Sequence, residues 1–205
     1  MKRPSIVIVA GVNGCGKSTF AATAAGKSAL LGQTAINPDE LTQAATVEFP
    51  VLKGAGANLV GVERAEKAVW RAIAEGKSAA IETVLSSAKF LPLVAAARRR
   101  RYRTRLIFIG LPKVDLAIER IRTRVTQGGH DVPDAKVRDR WNRAHDNLVI
   151  FMQAVDDVLI FSNVGPIPIP VAERVGRGSL RLIDELALPA VSSRLLSPKA
   201  EPRRQ

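Results

Sequence analysis

The stretch Gly11-Val12-Asn13-Gly14-Cys15-Gly16-Lys17-Ser18 meets the phosphate-loop signature G-x-x-x-x-G-K-[ST] at every required position. Its flanks suit that signature. Ser5-Ile6-Val7-Ile8-Val9-Ala10 before it is a short apolar, β-branched run that reads as a buried parallel strand. Thr19 to Ala25 after it reads as the first turns of a helix, with Gly26 as its stop. Strand, glycine loop and helix together demand an α/β fold with a parallel sheet.

The residue types explain the chemistry. Gly11, Gly14 and Gly16 let the backbone curl closely around phosphate oxygens. Successive N–H groups then form an anion nest, and the helix N-terminus behind it adds partial positive charge. The nest runs through Gly11, Val12, Asn13, Gly14, Cys15, Gly16, Lys17, Ser18 and Thr19. Lys17 reaches the β- and γ-phosphates in this reading, and the Ser18 hydroxyl ligates Mg²⁺. Cys15 fills a free position and reads as a bland, partly buried thiol, because no histidine lies near it in sequence.

A chain of 205 residues suits one α/β domain with a full core. We expect that domain over residues 1–188 and a disordered tail over 189–205, where Ser, Pro and Arg take over. No apolar run approaches the roughly 18 residues needed to cross a bilayer. The phosphate loop starts too early for a cleaved leader, and a single cysteine forms no internal disulfide; a cytoplasmic protein is the expectation. The net charge of +12 permits nucleic acid, an anionic surface or a polyanionic small substrate as partner.

Further strands are expected at Gln33–Ile36, Ser78–Thr83, Arg105–Gly110 and Val158–Phe161, about five in all. Asn37-Pro38-Asp39 follows the second, with Asn37 as N-cap and Pro38 in the first helical turn. Asp39 thus lies near a strand's C-terminal end, where open α/β sheets bind ligands. It either serves the site or only favours the helix N-terminus. Glu82 ends the third strand at the same sheet edge, as a solvated acid or one that touches metal-bound water or a substrate hydroxyl.

A helix ends in Arg98-Arg99-Arg100-Arg101, which reads as a solvated helix end favouring the macrodipole, with nucleic-acid contact the lesser reading. Two more helices carry Arg120, Arg122, Arg124 and then Arg138, Arg140, Arg143, on either side of Gly128-Gly129-His130. Guanidinium groups and a glycine hinge read as an arginine-rich lid over a transferring phosphate, or the two helices are ordinary amphipathic ones with solvated arginines. His145 is expected on a helix surface. Leu180, Ile183, Leu186 and Leu188 suggest a closing helix, and Pro166 to Pro170 an extended edge segment.

In order, the phosphate loop, Ile36-Asn37-Pro38-Asp39-Glu40-Leu41, Ala80-Ile81-Glu82-Thr83, Ile118-Glu119-Arg120 with Arg124, Gly128-Gly129-His130-Asp131-Val132-Pro133 and Ile160-Phe161-Ser162-Asn163 resemble the zeta toxin family of P-loop kinases. They span most of the chain. The resemblance implies an ATP- or GTP-dependent, Mg²⁺-dependent kinase acting on a hydroxyl of a small anionic substrate. For the best-known members that is the sugar of UDP-N-acetylglucosamine, and a small antitoxin holds them inactive. By the same resemblance Asp39 is the general base and Glu82 positions substrate or metal. Lys17, Arg120 and either Arg124 or Arg140 stabilise the γ-phosphate. A nucleoside or polynucleotide kinase and a regulatory ATPase module without an acceptor are the rival readings.

Overall fold

The computed structural model describes residues 3–51, 54–129 and 131–196. His130 and residues 197–205 therefore lie outside the described residues. A seven-stranded sheet runs in the order β2-β3-β1-β4-β5-β6-β7. The five strands read from the sequence are its parallel part: β1 (Ser5–Ala10), β2 (Ala35–Ile36), β3 (Ala79–Thr83), β4 (Arg103–Gly110) and β5 (Asp157–Ser162). All six residues of β1 are buried, as a strand covered by helices on both faces must be.

Two antiparallel strands extend the sheet beyond the expected five: β6 (Ile169–Arg174) and β7 (Arg181–Leu182). The expected edge position holds for the proline-rich segment: Ile169 and Pro170 pair with β5 alone, because β7 reaches only Ala172 and Glu173 of β6. Pro170 cannot donate to the ladder, and the β5–β6 register shifts between Ile160 and Phe161, where Pro170 pairs. The closing helix expected from Leu180 to Leu188 is replaced by β7, because Leu182 pairs with Ala172 of β6 and Arg181 forms an ion pair with Glu173. The first eight tail residues are not disordered. Pro189–Leu196 forms helix α8, with Leu188 and Val191 buried in the core. Two large apolar side chains buried there outweigh the polar composition that suggested a tail.

The remaining helices are α1 (Lys17–Ala22), α2 (Ala24–Ala29), α3 (Pro38–Glu48), α4 (Ala55–Ala74), α5 (Leu91–Arg99), α6 (Val114–Thr126) and α7 (Asp134–Ala154). Gly26 does not stop the first helix. The break falls at Thr23, which caps α2 by accepting from the Gly26 N–H, and Gly26 sits buried against the Phe20 carbonyl. The α7 seam is as expected: Val137, Trp141, Ala144, Leu148 and Met152 are all buried. His145 is also buried, against the rings of Trp141 and Phe108, rather than on the surface. It lies next to the seam, and α8 covers that side of α7, with Arg194 reaching Asp146.

Helices antiparallel to their strands gather their C-terminal carbonyls at one sheet edge. There Arg100 donates to the carbonyls of Ile73 (3.0 Å) and Ala74 (3.3 Å) at the end of α4. Arg98 donates to Ala154 (3.3 Å) and Arg174 to Val155 (2.8 Å) at the end of α7. Three arginines thus satisfy helix-end carbonyls that would otherwise lack partners. Arg103 and Arg105 close on fully buried Asp157 at the same edge. Among the described residues no helix is long and apolar enough to cross a membrane.

Candidate active site

The loop after β1 lies at the switch point of the sheet. Consecutive β1 and β2 are separated by β3, while β4 lies on the other side of β1. A crevice at the C-terminal ends of β3, β1 and β4 follows, where such sheets take ligands. Gly11 begins the loop by donating its N–H to the Thr83 carbonyl at 3.2 Å. Val9 pairs with Glu82 in register, so the phosphate loop starts directly beside that acid.

Gly16 is the N-cap of α1, in the left-handed region at φ 85°, ψ 38°. A residue with a Cβ is strained there, so the signature's glycine is required by geometry. The Lys17 ammonium donates to the Gly11 carbonyl at 2.9 Å, folding over the loop. Cys15 is fully buried, and burial pushes its thiol pKa up, against the opposing effect of Lys17. It is an inert packing group, as its sequence context suggested.

Glu82 is 7% exposed, and the Ser18 hydroxyl donates to its two oxygens at 3.3 and 3.5 Å. Burial raises the Glu82 pKa; Lys17 and the Ser18 bond oppose the rise, and Asp39 and Glu40 add to it. Asp39 is therefore within electrostatic reach of Glu82, the acid that the Ser18 hydroxyl contacts. Asn37 caps α3 by accepting from the Asp39 N–H at 2.9 Å, so Asp39 is not needed as the cap. The exposed Asp39 side chain accepts no hydrogen bond from any described residue. Just beyond Glu82, buried Leu85 adopts φ 62°, held by Thr83 and Asn147. A non-glycine residue is strained in that conformation, which here abuts the site.

The lid arginines separate into two groups. Arg122, Arg138 and Arg143 pair with Asp134, Asp115 and Asp139 on the helix surfaces. Arg140 instead donates to the Asn13 side chain at 2.7 Å and feels the charge of Asp39. Arg120 donates to the Val164 carbonyl at 3.1 Å, with its guanidinium beside Gly16. Arg124 packs against the Gly128–Gly129 turn. Glu82, Lys17, Ser18, Arg120 and Arg140 are thus gathered around one loop; Asp39 lies in the first turn of α3, within electrostatic reach of Glu82 and Arg140, and Arg124 stands further along α6.

The sequence reading gave no role to two positions, one of them, Asn163, named only within a family motif. Gly61 of α4 lies where any Cβ would collide with Thr42 and the Pro38 carbonyl, so this glycine sets how closely α3 approaches. An isolated glycine inside a helical pattern is the signal that marked it. Asn163, after β5, donates its side-chain amide to the Cys15 carbonyl at 2.9 Å. A cavity of about 670 Å³ at the opposite sheet edge, lined by Arg3, Ser78, Arg103 and Arg177, is no part of this site.

For Mg²⁺, the oxygens of Ser18 and Glu82 form a hard donor pair suited to a cation completed by phosphate oxygens and water. The described residues contain no cluster of three or more His, Cys, Asp or Glu able to hold a metal unaided.

A phosphate loop at the switch point of a parallel sheet, overhung by two arginine-bearing helices, defines a P-loop kinase architecture. The chain belongs to the zeta toxin family, whose family model matches residues 1–169. Sequence comparison with curated proteins gives no match. Among solved structures, the chain is similar to AvrRxo1-ORF1 in its complex with ORF2 and ATP, at 17% identity and TM-score 0.69. That match covers 97% of this chain but 66% of the other, so the chain spans just under two thirds of that relative's length. It is also similar to the PezAT toxin-antitoxin system of Streptococcus pneumoniae, at 18% identity, TM-score 0.60, and 84% and 72% coverage of the two chains. A protein from Chloroflexus aurantiacus matches at 16% identity, TM-score 0.52, and 70% and 79% coverage. At these identities the solved structures bear on the fold alone.

Proposed function

We propose that the protein transfers the γ-phosphate of ATP or GTP to a hydroxyl of a small anionic acceptor, a nucleotide sugar such as UDP-N-acetylglucosamine. One observation supports the reading. The exposed carboxylate of Asp39, in the first turn of α3, has no hydrogen-bond partner among the described residues and acts electrostatically on both Glu82 and Arg140, which contact the phosphate loop. A module that merely binds nucleotide has no use for an uncommitted base there.

Loop N–H groups and Lys17 hold the phosphates. Arg120 and Arg140 neutralise charge on the phosphoryl group in transit. Asp39 accepts the proton of the acceptor hydroxyl as its oxygen bonds to phosphorus and the bond to the nucleoside diphosphate breaks. Ser18 and Glu82 would hold Mg²⁺, which supplies charge neutralisation across the phosphates when bound. A small antitoxin is proposed as a partner on the strength of the family. An oligonucleotide acceptor is less well supported, because Arg98 and Arg100 are engaged with helix-end carbonyls.

Purified protein incubated with γ-labelled ATP, UDP-N-acetylglucosamine and a metabolite extract tests this. A labelled sugar nucleotide that disappears with Asp39→Asn, while ATP binding persists, is the expected result. Release of ADP with no phosphorylated product in any fraction would replace the kinase with a hydrolytic module.

A further inference from the structure

We propose that Asn163 is a positioning residue that aims the phosphate-binding N–H groups of Gly16 and Lys17 from beneath the loop. It is 7% exposed and reaches the loop from the far end of the chain. Its own N–H donates to the Gly110 carbonyl at 3.0 Å, which anchors it to the end of β4. From there its side-chain amide donates to the carbonyls of Cys15 at 2.9 Å and Gly16 at 3.5 Å. A Cβ on Gly16 would overlap that amide, so the contact requires a glycine there.

The consequence follows from peptide geometry. In a trans peptide the C=O and the N–H of the next residue point in opposite directions, and no cis peptide occurs among the described residues. A Cys15 carbonyl held toward Asn163 therefore turns the Gly16 N–H away from it, into the concave face of the loop. A Gly16 carbonyl held the same way does this for the Lys17 N–H. These carbonyls need a donor in any case. The Phe20 N–H serves Gly16 as the first bond of α1 at 2.9 Å, and Asn163 is the side chain that donates to Cys15. The next residue completes the arrangement: the Val164 carbonyl accepts from Arg120, so one short turn fixes both the loop and an arginine beside it.

The proposal rests on the reading of the loop as a phosphate site, and the experiment separates the two. Inorganic triphosphate and ATP are titrated into the wild type, Asn163→Asp and Asn163→Ser, with circular dichroism and unliganded melting recorded for each. Asn163→Asp keeps the shape but replaces the donor with an acceptor aimed at two carbonyls. Asn163→Ser keeps a donor too short to reach them. Both ligands should weaken by about tenfold or more in both variants, the scale of one lost buried hydrogen bond, while each variant stays folded at the titration temperature, with melting lowered by no more than the lost Cys15 contact implies. Equal loss for triphosphate and ATP locates the effect at the phosphates, which a merely structural role would not do. Affinities within twofold of wild type in either folded variant would overturn the proposal. A wild type that binds neither ligand would instead overturn the reading of the loop itself.

Discussion

The guanidinium of Arg140 donates to the side-chain oxygen of Asn13 across 2.7 Å, joining the second lid helix to the phosphate loop. Burial draws the Arg140 pKa down and the charge of Asp39 holds it up, yet a guanidinium stays charged throughout. Asn13 occupies a free position of the loop signature, so its identity serves this contact rather than the phosphates. We expect Arg140→Ala to lower kcat for phosphoryl transfer by about 100-fold, as loss of a preorganised charge does. Asn13→Ala should cost less, and the double variant should be no slower than Arg140→Ala alone. Arg140→Lys should not restore the rate, because one ammonium cannot reproduce the fork. Additive losses in steady-state kinetics would show that the two residues act separately.

Glu82 predicts a conflict between stability and activity. Burial raises its pKa above the ordinary 4.5, so the folded state binds its proton more tightly than the unfolded chain. Stability therefore falls as pH rises from 4.5 through the raised folded value, and the charged acid is a liability at neutral pH. Glu82→Gln retains an acceptor for Ser18 and removes the charge. It should raise the unliganded stability by about 1 kcal/mol at pH 7 to 8, and the gain should vanish below pH 4.5, where both side chains are neutral. Transfer activity should drop at the same time. Melting curves across that range check the first part, and an unchanged or lowered midpoint at pH 8 would count against it.

What the sequence could show depended on how local each cause is. The loop, the five parallel strands and the Asn37 cap of α3 depend on neighbours within a few residues, and they were legible. Asp39, Glu82 and Arg140 were candidates from position alone. Their convergence was not visible, because it depends on β3 lying beside β1 and on α7 crossing above Asn13. The fate of Leu182 and Val191 was hidden for a similar reason: their partners, Ala172 and the core under α8, come from distant segments. Burial of His145 was missed because it lies beside the α7 seam and α8 was not foreseen. The arginine excess suggested a polyanion partner, although sheet topology brings the helix ends and those arginines together.

Gly61 is the contact that sets the position of Asp39. The two helices α3 and α4 form a hairpin, and a methyl group at 61 would meet the Thr42 N–H nitrogen at 2.6 Å and the Pro38 carbonyl at 2.8 Å. The first turn of α3, which carries Asp39, would have to shift outward. Alanine is the better helix former by about 1 kcal/mol, so the helix itself should tolerate the change. Gly61→Ala is expected to lower kcat by about tenfold to 100-fold, the cost of misplacing a base by roughly 1 Å, with ATP affinity retained. Loss of ATP binding in parallel with kcat would mean that the hairpin acts on the loop instead.

His145 should make the fold sensitive to mild acid. Its Nδ1 lies 2.7 Å from the Trp141 carbonyl, so that nitrogen carries the proton, and Nε2 is buried without a partner. Protonating Nε2 would place a charge among Trp141, Phe108 and the α7 backbone. Burial accordingly lowers the pKa below 6.5, with the Trp141 bond opposing and Arg194 assisting, while Asp146 opposes. The unfolded chain then takes up the proton first, so stability is complete above pH 6.5 and falls as pH drops from there toward the folded value. One proton limits the slope to about 1.4 kcal/mol per pH unit. Urea unfolding at half-unit steps from pH 5 to 8 should show this decline in the wild type. His145→Phe keeps the ring packing and removes the titration, so its curve should be flatter by that amount. An identical slope in the two proteins would assign the acid sensitivity to groups other than His145.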